Sequence, residues 1–153
     1  MRSGRICLTI FTMLLVFAGA FAPCNAGDEE AAVKETIVNA YVKGIHIDRD
    51  IPAIRKGFHP SFTMFIRKGE EVRTLSIDDW VKSIEKSKEK DPEGPSWKVT
   101  HDIPMVNVSG DAAVAKVMIY RDEKLIYSDY MSLYRFDDGW KIVGKIYYSH
   151  KDQ

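Results

Sequence analysis

The chain has 153 residues, 45% of them hydrophobic, with 22 basic and 22 acidic side chains and two cysteines. A net charge of zero offers no positive surplus of the kind that phosphate backbones and anionic lipids attract, which argues against nucleic acid or anionic lipid as the main partner. Both cysteines, Cys7 and Cys24, fall in the first 26 residues, so the rest of the chain has no disulfide, thiol nucleophile or thiolate metal site.

The first element is an export signal. Arg2 and Arg5 precede an uncharged, mostly apolar run from Ile6 to Ala22, followed by Pro23-Cys24-Asn25-Ala26 and the acidic Gly27-Asp28-Glu29-Glu30. That order of charged, apolar and small residues predicts a cleavable secretory signal over 1–26, cut after Ala26, and a secreted or periplasmic protein. Cutting after Ala22 instead leaves Pro23 at the new end. An uncleaved anchor is the alternative, because the run approaches the ~17 residues of a minimal span; contact with a membrane is expected through that segment alone. Removing it leaves 20 basic against 22 acidic residues. The remaining residues, 27–153, suit one domain with a sizeable core.

Asp28 to Lys43 places Val33, Ile37 and Tyr41 on one helical face, with Val38 and Val42 flanking, and Gly44 is expected to stop it. A short helix follows from Asp50, with Pro52 in its first turn and Gly57 near its end. Phe62 to Arg67 reads as a strand, Gly69-Glu70 as a turn and Val72 to Leu75 as its partner. Ser76-Ile77-Asp78-Asp79 starts a third helix, whose stripe is Ile77, Trp80, Val81 and Ile84. After Pro92, Gly94 and Pro95 the period changes to two. Trp97–Val108, Ala112–Arg121, Leu125–Phe136 and Trp140–Tyr148 are four strands joined by short turns, hence an antiparallel meander. Pro104 marks a bulge or an edge in the first of them.

Three helices, a strand pair and a long meander predict an α+β fold, a cone-shaped roll in which helices pack on one face of a curved, mainly antiparallel sheet in a cystatin-like arrangement. The order of elements resembles a known family, together with Ala112-Ala113-Val114-Ala115-Lys116-Val117, Tyr127-Ser128-Asp129-Tyr130-Met131-Ser132-Leu133 and Asp138-Gly139-Trp140-Lys141-Ile142-Val143-Gly144-Lys145. These segments are similar to the putative lumazine-binding branch, SnoaL-like in its cone, of the nuclear transport factor 2-like superfamily. The resemblance covers nearly all of the chain beyond the signal. It implies the fold; its activities range from ketosteroid isomerase, cyclase and dehydratase enzymes to binding and scaffold domains.

The isomerase branch uses a tyrosine of the first helix, a carboxylate base on the first strand and an acid on a later strand. Tyr41 and Asp129 suit the outer two places, but Phe62-Thr63-Met64-Phe65-Ile66-Arg67 holds no carboxylate, so no catalytic residue is carried over. His46-Ile47-Asp48 is read as a loop in which two potential metal ligands stand two apart. No metal site and no cofactor are expected. His59 is expected to cap the second helix.

A three-residue loop Asp137-Asp138-Gly139, with Gly139 left-handed, pairs Phe136 with Trp140. One face of the hairpin then shows Tyr130, Ser132, Tyr134, Phe136, Trp140, Ile142 and Ile146, read as core or as a dimer surface. The other shows Asp129, Met131, Leu133, Val143, Lys145 and Tyr147. Asp129 and Lys145 are ionisable groups on an apolar stripe and must pair, with each other or with a ligand. The candidate pocket is therefore Tyr41, Met64, Trp80, Asp129, Met131, Leu133, Lys145 and Tyr147. The expected function is an exported, non-catalytic module that binds a small, partly aromatic molecule; the resemblance implies a heterocycle and a homodimer through the sheet. The alternatives are an isomerase, cyclase or dehydratase of the same fold, and a protein-interaction domain.

Overall fold

The structure is a computed structural model that describes residues 26–151, so the expected signal up to Asn25, with both cysteines, lies outside the described residues. Helix α1 (Ala26–Ile37) opens with Asp28 and Glu29 in its positively polarised first turn and carries Lys34 in its last. Glu29 accepts a hydrogen bond from the Trp140 indole N–H (2.8 Å) and pairs with Arg135, which fastens the first turn to the far sheet hairpin. Val33 and Ile37 are fully buried.

The chain then stays helical past Gly44, contrary to the expected stop. It widens into a π-helical segment (Val38–Ile47), whose end is marked by the Asp48 N–H bonding five residues back to the Lys43 carbonyl (2.8 Å). Gly44 is there for closeness: a Cβ on it meets the Ile54 side chain at 3.1 Å. Helix α2 (Ile51–Gly57) is capped by Asp50, which accepts from the Ala53 N–H at 3.2 Å, with Pro52 in its first turn. Gly57 presses tighter still, since a Cβ there lies 2.3 Å from that of Ala40. The two glycines let α2 lie against the π segment.

Strands β1 (Phe58–Lys68) and β2 (Glu71–Ser76) form a hairpin, longer than expected because β1 begins directly at the end of α2. Ser76 accepts the Asp79 N–H (3.2 Å) and starts α3 (Ile77–Lys90), which buries Ile77, Val81 and Ile84. Strands β3 (Val99–Ser109), β4 (Ala112–Arg121), β5 (Lys124–Phe136) and β6 (Gly139–Ser149) follow as the meander. The sheet runs β2-β1-β6-β5-β4-β3, with β1 and β6 parallel and every other pair antiparallel. Pro104 sits both at a register shift and on an edge strand. The architecture is three helices packed on an open, six-stranded mixed sheet, the α+β cone.

The core lies between the helices and the inner face of the sheet, where Ala113, Ala115, Val117 and Ile119 of β4 meet Met131 and Leu133 of β5. Each fully buried Val, Ile, Leu or Met contributes roughly 1.5–3 kcal/mol. The outer face corrects the expected hairpin. Phe136 pairs with Gly139, and Arg135 with Trp140, across a two-residue loop; a register shift between Ser132 and Leu133 then leaves Val143 as an extra residue. Beyond it the pairs are as expected, Met131 with Lys145 and Asp129 with Tyr147. Because a bulge reverses which face a strand presents, Trp140 (5% exposed) and Ile142 (0%) point inward, while Tyr130 (45%) and Tyr134 (50%) point out. Tyr130 and Tyr134 are thus not core. They share the outer face with Phe65, Val114, Ile146 and Tyr148, all exposed.

Candidate functional site

Where the π segment, α3 and the inner face of the sheet converge, the structure leaves a cavity of about 300 Å³. Five of the expected residues line it: Tyr41 from the π segment, Met64 from β1, Trp80 from α3, and Lys145 and Tyr147 from β6. Asp129 lies behind this wall, fully buried, and reaches the cavity only through its partners. Met131 and Leu133 are not brought to the cavity; both are buried in the core.

The three polar groups close on one another. Lys145 Nζ donates to Asp129 Oδ1 (2.5 Å) and to the Tyr41 hydroxyl (3.0 Å), and that hydroxyl donates to Asp129 Oδ2 (2.6 Å). Both carboxylate oxygens and the phenol are thereby engaged, while one of the three ammonium protons is left over. The ammonium also sits 4.8 Å from the ring centres of Tyr41 and Tyr147 and 5.6 Å from that of Trp80, where aromatic faces favour a cation. Burial pushes the Lys145 pKa down, and the Asp129 charge opposes that shift. Burial, then the Asp129 charge, holds the Tyr41 phenol well above its usual range. Tyr147 is also raised, by burial and by Tyr127 and Asp129.

Four lining residues escaped the sequence reading: Ile45, His46, Arg121 and Tyr127. His46, expected in a loop beside Asp48, is on the π segment and faces inward, with its ring edge-on to Tyr41 at 4.7 Å. Asp48 is exposed and lines a different cleft. Widened helices of this kind are frequent at functional sites, and this one sets Tyr41 and His46 on the same wall. The signal for Arg121 was its place in β4, two residues beyond inward-facing Ile119 and thus on the same face. Its guanidinium lies 4.6 Å over the Trp97 ring. His46 Nε2 and Arg121 Nε are buried without a hydrogen-bond partner. Burial, then the charges of Lys145 and Arg121, lowers the His46 pKa to about 3.

A second chamber of about 270 Å³ adjoins the first, sharing Ile45, His46 and Arg121. A larger groove of about 400 Å³ lies over the outside of α1, the π segment and α2. Three of its charged side chains are engaged, since Lys141 donates to the Lys56 carbonyl (2.6 Å) and pairs with Asp138 (2.8 Å), and Asp50 caps α2. The inner cavity is the better candidate because buried nitrogens without partners belong to residues that line it. His59 caps no helix; the α2 end is closed by the Phe58 N–H on the Ile54 carbonyl, and His59 bonds Ser61 and stacks on Phe136 at 4.7 Å. Among the described residues no three metal-ligating side chains come together.

Aromatic walls, one spare ammonium proton and two unmatched ring and guanidinium nitrogens suit a flat, acceptor-bearing molecule. The sequence profile of the family described as putative lumazine-binding matches residues 28–148. A search of the curated proteins finds no match. Among solved structures, an NTF2-like protein of unknown function from Shewanella baltica OS155 is 18% identical, with a TM-score of 0.64 over 82% of this chain and 97% of that one. One from Silicibacter pomeroyi DSS-3 is 19% identical, with a TM-score of 0.65 over 82% and 99%. A putative ketosteroid isomerase from Shewanella frigidimarina NCIMB 400 is 14% identical, with a TM-score of 0.55 over 76% and 94%.

Proposed function

Because the chain belongs to the putative lumazine-binding family, within the NTF2-like fold, we propose that it is an exported, non-catalytic module that holds a small aromatic heterocycle in its inner cavity. The observation that carries this reading is the closed Tyr41–Asp129–Lys145 ring beneath an aromatic cavity. It offers polar anchorage without a free base. Turnover of the isomerase kind needs a carboxylate open to the substrate, whereas Asp129 already accepts from both partners and β1 carries no carboxylate. Export rests on the N-terminal sequence alone, with Arg2 and Arg5 before the apolar run from Ile6 to Ala22.

We also read the outer sheet face as the surface on which two copies pair. Phe65, Val114, Tyr130, Tyr134, Ile146 and Tyr148 expose a run of large apolar groups across five strands counted from β1 to β4 with the β3 side chain Met105, and exposed apolar patches on a soluble domain mark interaction surfaces. A face of one sheet is self-complementary about a two-fold axis, the commonest symmetry of homo-oligomers.

Native mass spectrometry of the protein recovered from an exporting host reads these features together. The expected spectrum shows a chain that begins at Gly27, in pairs, with a bound small molecule that also quenches tryptophan fluorescence when lumazine or a flavin is added back. Bare protein with unchanged fluorescence overturns the binder, and a chain retaining Cys7 overturns the cleaved signal. In a separate variant, Tyr130→Lys combined with Ile146→Lys is expected to convert pairs into single chains in analytical ultracentrifugation. Wild-type protein that sediments as a single chain at micromolar concentration overturns the dimer.

A further inference from the structure

The charges around the two chambers do not balance. Lys145 is neutralised by Asp129. Arg121 has no ion-pair partner among the described residues, and its Nε is a buried donor with nothing to bond. Arg49, which lines the second chamber, spends its guanidinium on the backbone carbonyls of Asp91 (2.7 Å) and Pro92 (3.5 Å). Lys151 lies 4.9 Å over the ring of Tyr127. Among the described residues one carboxylate, Asp91, lines the second chamber, and none lines the first.

Leaving a buried donor unmade costs about 1–3 kcal/mol, and Arg121 Nε is one, as is His46 Nε2 in its Nε2–H tautomer; both residues line the wall that the chambers share. Arg121 is held there by its surroundings. It is the last residue of β4, pairs with both Val99 and Lys124, and precedes the turn Asp122-Glu123, whose residues both have positive φ (46° and 68°). Asp122 in turn accepts the Lys98 N–H (2.9 Å). Trp97 covers one face of the guanidinium. A donor that is fixed, covered and unmatched is organised for a group that arrives from outside.

We propose that the ligand carries an oxyanion, a carboxylate or a phosphate, seated where the chambers meet on Arg121 Nε and His46 Nε2, with its ring against Tyr41, Trp80, Tyr127 and Tyr147. This rests on the reading of the cavity as the ligand site. Arg121 supplies both charge and a directed N–H, the pairing that guanidinium makes best with planar and tetrahedral oxyanions. A neutral His46 donates from Nε2 as the corresponding tautomer. The second chamber leaves room for substituents beyond the anion.

Isothermal titration of the domain beginning at Gly27, at low ionic strength, with 2-naphthoate, 2-naphthyl phosphate and the neutral 2-naphthamide tests this. At least one anion is expected to bind about tenfold or more tighter than the amide, the size of a charge-assisted hydrogen bond. The tighter anion identifies the oxyanion class. Arg121→Gln is expected to bring that anion and the amide within about twofold of each other, with Arg121→Lys in between. Equal binding of amide and anions by the wild-type protein overturns the oxyanion while the cavity stands as a ring-binding site. A preference that persists in a folded Arg121→Gln protein overturns its placement. Failure of all three compounds to bind removes the ligand site itself, and the oxyanion with it. The wild-type comparison does not depend on any variant folding.

Discussion

Asp129→Ala is expected to destabilise the domain by about 3–5 kcal/mol, the cost of leaving the other half of a buried ion pair without its partner. Lys145 is 6% exposed and Asp129 is fully enclosed, so no water shell takes over when the carboxylate goes. The loss also strips the Tyr41 hydroxyl of its acceptor. Lys145 then has one way to relieve the cost, which is to give up its proton, because burial already pulls its pKa down and the opposing carboxylate is gone. Urea denaturation is expected to show a lower midpoint with an unchanged slope, the mark of lost stability rather than an altered unfolded state. The double substitution Asp129→Leu with Lys145→Met is expected to recover much of the loss, because replacing a buried pair by apolar groups is often neutral. A single-variant loss below about 1 kcal/mol contradicts the buried network and the argument built on it.

The second large effect is a loss of stability in weak acid, traced to His46. Its imidazole has an ordinary value of 6.5 and is lowered to about 3 in the fold. Above pH 6.5 both the folded and unfolded chains keep it neutral, and its contribution is complete. Between 6.5 and about 3 the unfolded chain takes up a proton that the folded one refuses, so stability falls by about 1.4 kcal/mol per pH unit. Below that window both forms are protonated and the loss stops growing. The groups that face His46 are Tyr41 on its own segment, Arg121 on β4, Tyr127 on β5 and Lys145 on β6. Asp79 and Asp138 also lose stabilising partners in acid, but their values lie below 3.8, so the upper part of the window belongs to His46. Denaturation at pH 6.5 and pH 5 is expected to differ by about 2 kcal/mol, and His46→Gln is expected to flatten that difference. An unchanged slope in the variant assigns the acid loss elsewhere.

Most of the fold was legible because its elements follow clean periods. The four meander strands alternate along most of their length, and Ser76 and Asp50 cap helices in the ordinary way. Asp129 and Lys145 were legible as a pair because two ionisable groups on an apolar stripe have few other solutions. What escaped were features fixed by tertiary contact. Gly44 looks like a stop, yet its purpose is the approach of α2, which no local pattern reveals. Widening of the helix from Val38 onward carries His46 inward, and a helix or loop assignment based on local signals places it outside. Arg121 shares the phase of inward-facing Ile119, but a single charge at the end of an apolar strand reads as a solvated turn residue unless that phase is followed to the last position. Met131 and Leu133 share the face of Lys145 but lie deeper toward the core, and face alone does not give depth.

The extra residue Val143 works as a change of frame within one strand. On its turn side the even positions Trp140 and Ile142 serve the packing, and on its far side the odd positions Lys145 and Tyr147 serve the cavity. The same strand is thus divided into two independently addressed halves. Substitutions at 147 can change the lining of the cavity while the hold of Trp140 on Glu29 keeps the first helix in place. Removing the one residue between them turns the cavity half over, exchanging its inward side chains for those that now face out.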